Sequence, residues 1–163
     1  MPVSFREKII PWEQLAAWRN AFRSAGKRLV VTNGCFDLLH LGHVTYLEDA
    51  RALGDALLIG LNSDDAVRQL KSSKRPLNHE QDRAFVLAAL ESVTRVCIFR
   101  EKTATRFLEA AQPDIYVKGG DYTLESLNQE ERRAVEQAGG KIIILPIVPG
   151  KSTSALLKKI SQL

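Results

Sequence analysis

Short runs rich in branched apolar residues recur at Arg28–Thr32, Ala56–Asn62, Val93–Phe99, Asp114–Lys118 and Lys141–Ile147, and segments with helical spacing separate them. This alternation restricts the chain more than any other feature. Apolar runs of this length suit strands buried on both faces. Helical spacing appears at Val44, Leu47, Ala50 and Leu53, again at Phe85, Leu87, Ala88 and Leu90, and over Thr105–Ala111. A further helix, over about residues 11–25 with Leu15, Trp18 and Phe22, precedes the first strand. Right-handed crossovers between such strands give a mostly parallel sheet with helices on both faces. The expectation is a Rossmann-like, doubly wound α/β fold with a five-stranded sheet.

The chain has 163 residues, of which 45% are hydrophobic and 26% charged, enough to bury one core. No repeat or linker interrupts the pattern, so residues 1–163 read as one domain with its core at about 28–161. The apolar stretches Ala56–Leu61 and Ile142–Val148 fall far short of the roughly 20 residues of a membrane span. Met1–Pro11 lacks a secretory apolar region, and a cytoplasmic protein without a membrane partner is expected. Cys35 and Cys97 form neither a disulfide framework nor a Cys-x-x-Cys pair. A net charge of +4 attracts anions, yet no basic arm or concentrated basic face marks a nucleic-acid partner. Phosphorylated small molecules fit that modest excess better. The nearest basic run holds Lys71, Lys74 and Arg75.

In a doubly wound sheet, ligands bind beyond the carboxyl ends of the strands. Here those ends carry Asn33–His43, Asn62–Asp64, Lys118–Tyr122 and Pro149–Ser154. Neither G-x-G-x-x-G nor G-x-S-x-G occurs, which removes the local support for dinucleotide binding and serine hydrolysis. Gly150-Lys151-Ser152 follows a strand as a P-loop would, but Leu145 stands where the motif needs its first glycine. A zinc site needs three or four ligands, and the third histidine, His79, belongs to no metal motif. His40 and His43 around Gly42 suit phosphate instead. A glycine permits close backbone approach, a helix start offers free N–H groups, and two imidazoles can donate. Ser152, Thr153 and Ser154 read as a second, hydroxyl-rich helix start.

Asn33-Gly34-Cys35-Phe36-Asp37 followed by His40-Leu41-Gly42-His43 resembles the defining motif of the cytidylyltransferase-like nucleotidyltransferases. Within them, this motif with Asn62-Ser63-Asp64, Arg75-Pro76, Val117–Tyr122 and Ser152-Thr153-Ser154 is similar to the heptose 1-phosphate adenylyltransferase group. The likeness runs from about Lys8 to Ile160. It implies attack of a sugar phosphate on the α-phosphorus of ATP, giving ADP-heptose and pyrophosphate for lipopolysaccharide or another surface glycan. A separate heptose kinase is then expected to supply the substrate, since the chain reads as a stand-alone form. The resemblance also assigns residues. His40 and His43 become catalytic contacts to the triphosphate. Asn33, Gly34, Cys35, Phe36, Gly42, Asp121, Ser152 and Thr153 grip the nucleotide. Lys71, Arg75 and Lys118 hold the substrate phosphate. Mg²⁺ is expected with ATP, and Asp37 is the candidate ligand. Dimers are common in the superfamily, so a homodimer is compatible with this reading, although no residue marks an interface.

Two departures bear on the substrate. Related glycerol phosphate cytidylyltransferases usually carry arginine where Ile147 stands and tend to have histidine at the place of Gly120. Both favour ATP and a heptose phosphate. The alternatives are a cytidylyltransferase for glycerol 3-phosphate or a similar alcohol phosphate, an adenylyltransferase making FAD, and, from another class, a non-catalytic nucleotide sensor.

Overall fold

The computed structural model describes residues 3–163. Its five strands are β1 (Leu29–Gly34), β2 (Ala56–Asn62), β3 (Arg95–Phe99), β4 (Ile115–Gly119) and β5 (Lys141–Leu145), all parallel, in the order β3-β2-β1-β4-β5. The seven α-helices are α1 (Trp12–Ser24), α2 (Leu41–Arg51), α3 (Asp64–Leu70), α4 (Glu80–Ala88), α5 (Thr105–Ala111), α6 (Gln129–Gln137) and α7 (Thr153–Ile160). None of the helices among the described residues is long and apolar enough to cross a membrane.

Side chains alternate across the strands, so each face has its own core. Leu29, Val31, Leu58, Phe99 and Tyr116 pack with Leu15, Phe107 and Val135 on the side of α1, α5 and α6. Val30, Leu57, Ile59, Leu61 and Val117 pack with Leu47 and Leu87 on the side of α2 and α4. Every residue of β2 is buried, as a sheet covered on both faces requires. The order reverses between β1 and β4, so the crevice beyond their carboxyl ends is the topological switch point.

The expected strands are present; β2 has the expected ends and the other four are shifted. β1 runs on through Asn33 and Gly34, which pair with Gly60 and Leu61, so two motif residues belong to the sheet rather than to a loop. β5 stops at Leu145, before Pro146, because proline cannot donate to the ladder. Helices α3 and α6 carry no long apolar stripe. The first has seven residues and is capped by Ser63, whose Oγ accepts from the Ala66 N–H. The second buries only Glu131, Ala134 and Val135, and Asn128 caps it by accepting from the Glu130 and Glu131 N–H groups.

Candidate active site

Beyond β1 the chain turns sharply. Phe36 has φ of 46°, a left-handed conformation that costs a bulky residue free energy and persists only where packing holds it. The hold is visible: Phe36 is buried, and its ring folds back over Gly34, where a Cβ would lie 2.9 Å from Phe36 Cε2. The same ring sits 5.4 Å from the His43 ring. A strained turn thus sets the start of α2.

His40 occupies the N-cap of α2 in extended conformation, and its carbonyl accepts from the His43 N–H at 3.0 Å. The two imidazoles lie against each other with centroids 3.9 Å apart and planes inclined by 30°. Both Nδ1 atoms are buried without a hydrogen-bond partner among the described residues. Burial and the neighbouring His40 push the His43 pKa down to about 4; burial and Lys151 lower that of His40. Both rings are therefore neutral at pH 7, and polarised donors at the mouth of a helix are poised to take up an anion. Gly42 makes the arrangement possible. A Cβ there would come within 2.8 Å of His40 Cε1, 2.9 Å of its Nδ1 and 3.2 Å of Lys151 Cβ.

The start of α7 faces this pair. Thr153 Oγ1 donates to the Leu38 carbonyl at 3.4 Å, fastening α7 to the loop before α2. Ser152 caps α7 by accepting from the Ala155 N–H at 3.1 Å and keeps its own proton for a ligand. Of the two hydroxyls expected at phosphate, Thr153 thus spends its proton on the protein. Lys151, set aside with the rejected P-loop, lies against Gly42 and near His40, a position its place in the sequence did not reveal.

Asp37 departs from its expected role. Its carboxylate is fully buried and accepts from Arg75 Nε at 2.7 Å, from the Leu77 N–H at 2.8 and 3.0 Å and from the Asn78 N–H at 2.9 Å. With both oxygens occupied, it holds a loop rather than a metal. The described residues contain no group of three or more His, Cys, Asp or Glu side chains able to hold a metal ion. The protein's own donors therefore do not fit a caged Mg²⁺. Arg75 offers only Nε to Asp37, so its two terminal nitrogens have no partner among the described residues.

Arg83, absent from the sequence reading, is fully buried beside the site. It donates to the carbonyls of Cys35 (2.7 Å), Asn62 (2.9 Å) and Asn78 (2.9 Å) and to Asp64 Oδ1 (2.8 Å). It joins the turn after β1 and the end of β2 to the start of α3 and the loop before α4. Its signal was present: Arg83 falls one turn before Leu87 on the buried stripe of α4. Burial pushes the Cys35 thiol up against the pull of Lys71, Arg83 and Arg75, so Cys35 is an inert, packed side chain. The exposed Lys71 stands at the end of α3.

Asn33 and Lys118 meet across β1 and β4, with Lys118 Nζ 3.5 Å from Asn33 Oδ1 and 4.8 Å from the Tyr122 ring centroid. Asp121 is exposed in the turn that follows, where the Tyr122 N–H donates to the Gly119 carbonyl at 3.1 Å. The two departures of the sequence are neighbours: a Cβ on Gly120 would lie 3.3 Å from both Ile147 N and Leu145 O. A cavity of about 550 Å³ lined by Trp12, Glu80, Phe99 and Arg100 opens instead at the β3 edge, away from this chemistry.

A family model described as cytidylyltransferase-like matches residues 31–157. The bifunctional protein HldE of Geotalea uraniireducens is 52% identical over 153 residues, which are 94% of this chain and 31% of that protein. The HldE of Methylobacillus flagellatus is 48% identical over 156 residues, 96% of this chain and 32% of that protein. The chain thus spans about a third of these relatives. Among solved structures, a lipopolysaccharide core biosynthesis protein from Thermoplasma volcanium superposes with a TM-score of 0.62 at 28% identity, covering 76% of this chain and 98% of that one.

Proposed function

The chain belongs to the cytidylyltransferase-like family, and from that premise we propose that it transfers AMP from ATP to a heptose 1-phosphate, giving ADP-heptose and pyrophosphate. The observation that carries the transfer is the neutral imidazole pair, His40 against His43, at the mouth of α2 and opposite the start of α7. Its relatives named bifunctional HldE and the lipopolysaccharide core biosynthesis protein support the sugar assignment.

The nucleophile is a phosphate oxygen already ionised at neutral pH, so no general base is needed. It attacks the α-phosphorus, the new P–O bond forms, and the bond to the pyrophosphate oxygen breaks. The protein's task is to bring an anion onto a polyanion and to meet the charge that develops on the leaving group. His40 and His43 face the triphosphate, and their close contact lets one ring's position fix the other's. Asn33, Gly34, Cys35 and Phe36 present backbone to the nucleotide, with Gly42 and Asp121 beside them. Ser152 donates to the outer phosphates, and Thr153 holds α7 in place. The terminal nitrogens of Arg75, with Lys71 and Lys118, receive the acceptor phosphate. Mg²⁺ would arrive chelated by the triphosphate. A kinase acting on the anomeric hydroxyl would supply that sugar 1-phosphate.

Pyrophosphate release by the whole chain, with each nucleotide and acceptor in turn, tests this reading. ATP with heptose 1-phosphate is expected to turn over; turnover of CTP with glycerol 3-phosphate, or of ATP with FMN, in its place would overturn it. His43→Ala is expected to lower the rate by roughly 10²–10³, as loss of a transition-state donor does. A nucleotide sensor would bind ATP and release no pyrophosphate with any acceptor.

A further inference from the structure

Glu131 is buried on α6 and has no Lys, Arg or His within ion-pair distance among the described residues. A buried carboxylate is costly unless it is satisfied, and its neighbours show what it serves. Its Oε1 accepts from the Ala104 N–H at 2.8 Å. Its Oε2 stands 3.3 Å from the hydroxyl of Tyr116, a fully buried residue of β4. That hydroxyl in turn donates to Asn33 Oδ1 at 2.5 Å, the oxygen to which Lys118 Nζ points at 3.5 Å. A continuous polar chain therefore runs beneath the floor of the site, from α6 through β4 to the end of β1.

We infer that Glu131 and Tyr116 are positioning residues that set the Lys118 ammonium at the acceptor phosphate through Asn33. The inference rests on the phosphate role proposed above for Lys118. Tyr116 fixes the Asn33 carbonyl oxygen, since a phenol donor at 2.5 Å leaves that amide one orientation. Burial, with the Glu131 anion adding to it, pushes the Tyr116 hydroxyl well above the usual phenol range, so it stays a donor. Burial lowers the Lys118 pKa, and the Glu131 anion opposes that fall. The groups facing the ammonium are the Tyr116 and Tyr122 rings, Asn33 and, behind Tyr116, Glu131. Glu131 is the anion among them.

Glu131→Gln separates this role from a structural one. Glutamine can still accept from the Ala104 N–H, so the variant retains the anchor, removes the charge and sets an amide NH2 in place of the oxygen beside the Tyr116 hydroxyl. A ¹³C NMR titration of Lys118, which needs no substrate, is expected to show its midpoint at lower pH in the variant, and the alkaline limb of kcat/KM should move the same way. An unmoved Lys118 titration would overturn the inference, whatever the acceptor proves to be. Should that variant not fold, Tyr116→Phe keeps the ring and removes the donor to Asn33. Its KM for the acceptor that turns over is expected to rise about tenfold. An unchanged KM overturns the inference. Failure of every sugar phosphate as acceptor would instead count against the proposed reaction and leave the NMR result standing.

Discussion

Arg75 Nε lies 2.7 Å from Asp37 Oδ2, and this contact docks the loop before α4 onto the end of the motif that follows β1. The loop thereby brings its cation to the switch point with two guanidinium nitrogens that have no partner among the described residues. Burial alone would raise the Asp37 pKa; the Asn78 and Leu77 N–H groups and Arg75 outweigh it and hold the carboxyl below the usual range.

Asp37→Ala is expected to cost roughly 3–5 kcal/mol of stability, because it leaves a half-buried guanidinium and two N–H groups without their anion. Urea unfolding measures it. A loss under about 1 kcal/mol would mean that the carboxylate does not hold the loop.

Stability should depend on pH through His43. Its pKa falls from an ordinary 6.5 to about 4 in the folded protein, so the unfolded chain binds the extra proton between those values. The stabilisation is present above pH 6.5 and declines as pH falls toward 4, by up to about 3 kcal/mol. Unfolding curves at pH 7.5 and 4.5 should differ less in His43→Asn than in the parent. An equal difference in both proteins would exclude His43 as the source.

Gly42→Ala should damage turnover more than folding. The added methyl would meet the His40 ring at 2.8 and 2.9 Å and displace it from His43. A rate loss of about 10² with a nearly unchanged melting temperature is expected, since misplacing a catalytic group by about 1 Å costs that much. A fully active variant would show that the close pairing of the two rings is dispensable.

Arg83→Met removes four hydrogen bonds at once and leaves Asp64 and the carbonyls of Cys35, Asn62 and Asn78 to find other partners. Roughly 3–5 kcal/mol of destabilisation should follow, as for other broken buried pairs. A neutral result in thermal and urea unfolding would reduce Arg83 to a filler of space.

Much of the site was legible because its signals are local. The period of apolar residues marked the strands, and β2 and α5 have the ends their pattern suggests. The glycine between two histidines marked the start of α2, since only backbone without a Cβ tolerates the His40 ring so close. Helix α6 escaped because its buried side holds a glutamate, an alanine and a valine, which no apolar period reveals.

The sequence by itself determined the alternation of strand and helix, hence a parallel sheet with a ligand edge, and the residue types gathered at that edge. Short-range spacing encodes these, because strand and helix periods are properties of neighbouring residues. Tertiary structure alone decided which of those charges and hydroxyls are consumed internally and which have no partner among the described residues. Asp37 meets Leu77 across 40 residues, Tyr116 meets Asn33 across 83, and Thr153 meets Leu38 across 115. A polar group taken out of water must find a partner wherever the fold brings one. That requirement turned Asp37 from a candidate metal ligand into a buried anchor, and it joined Glu131 to the site from the far side of the sheet.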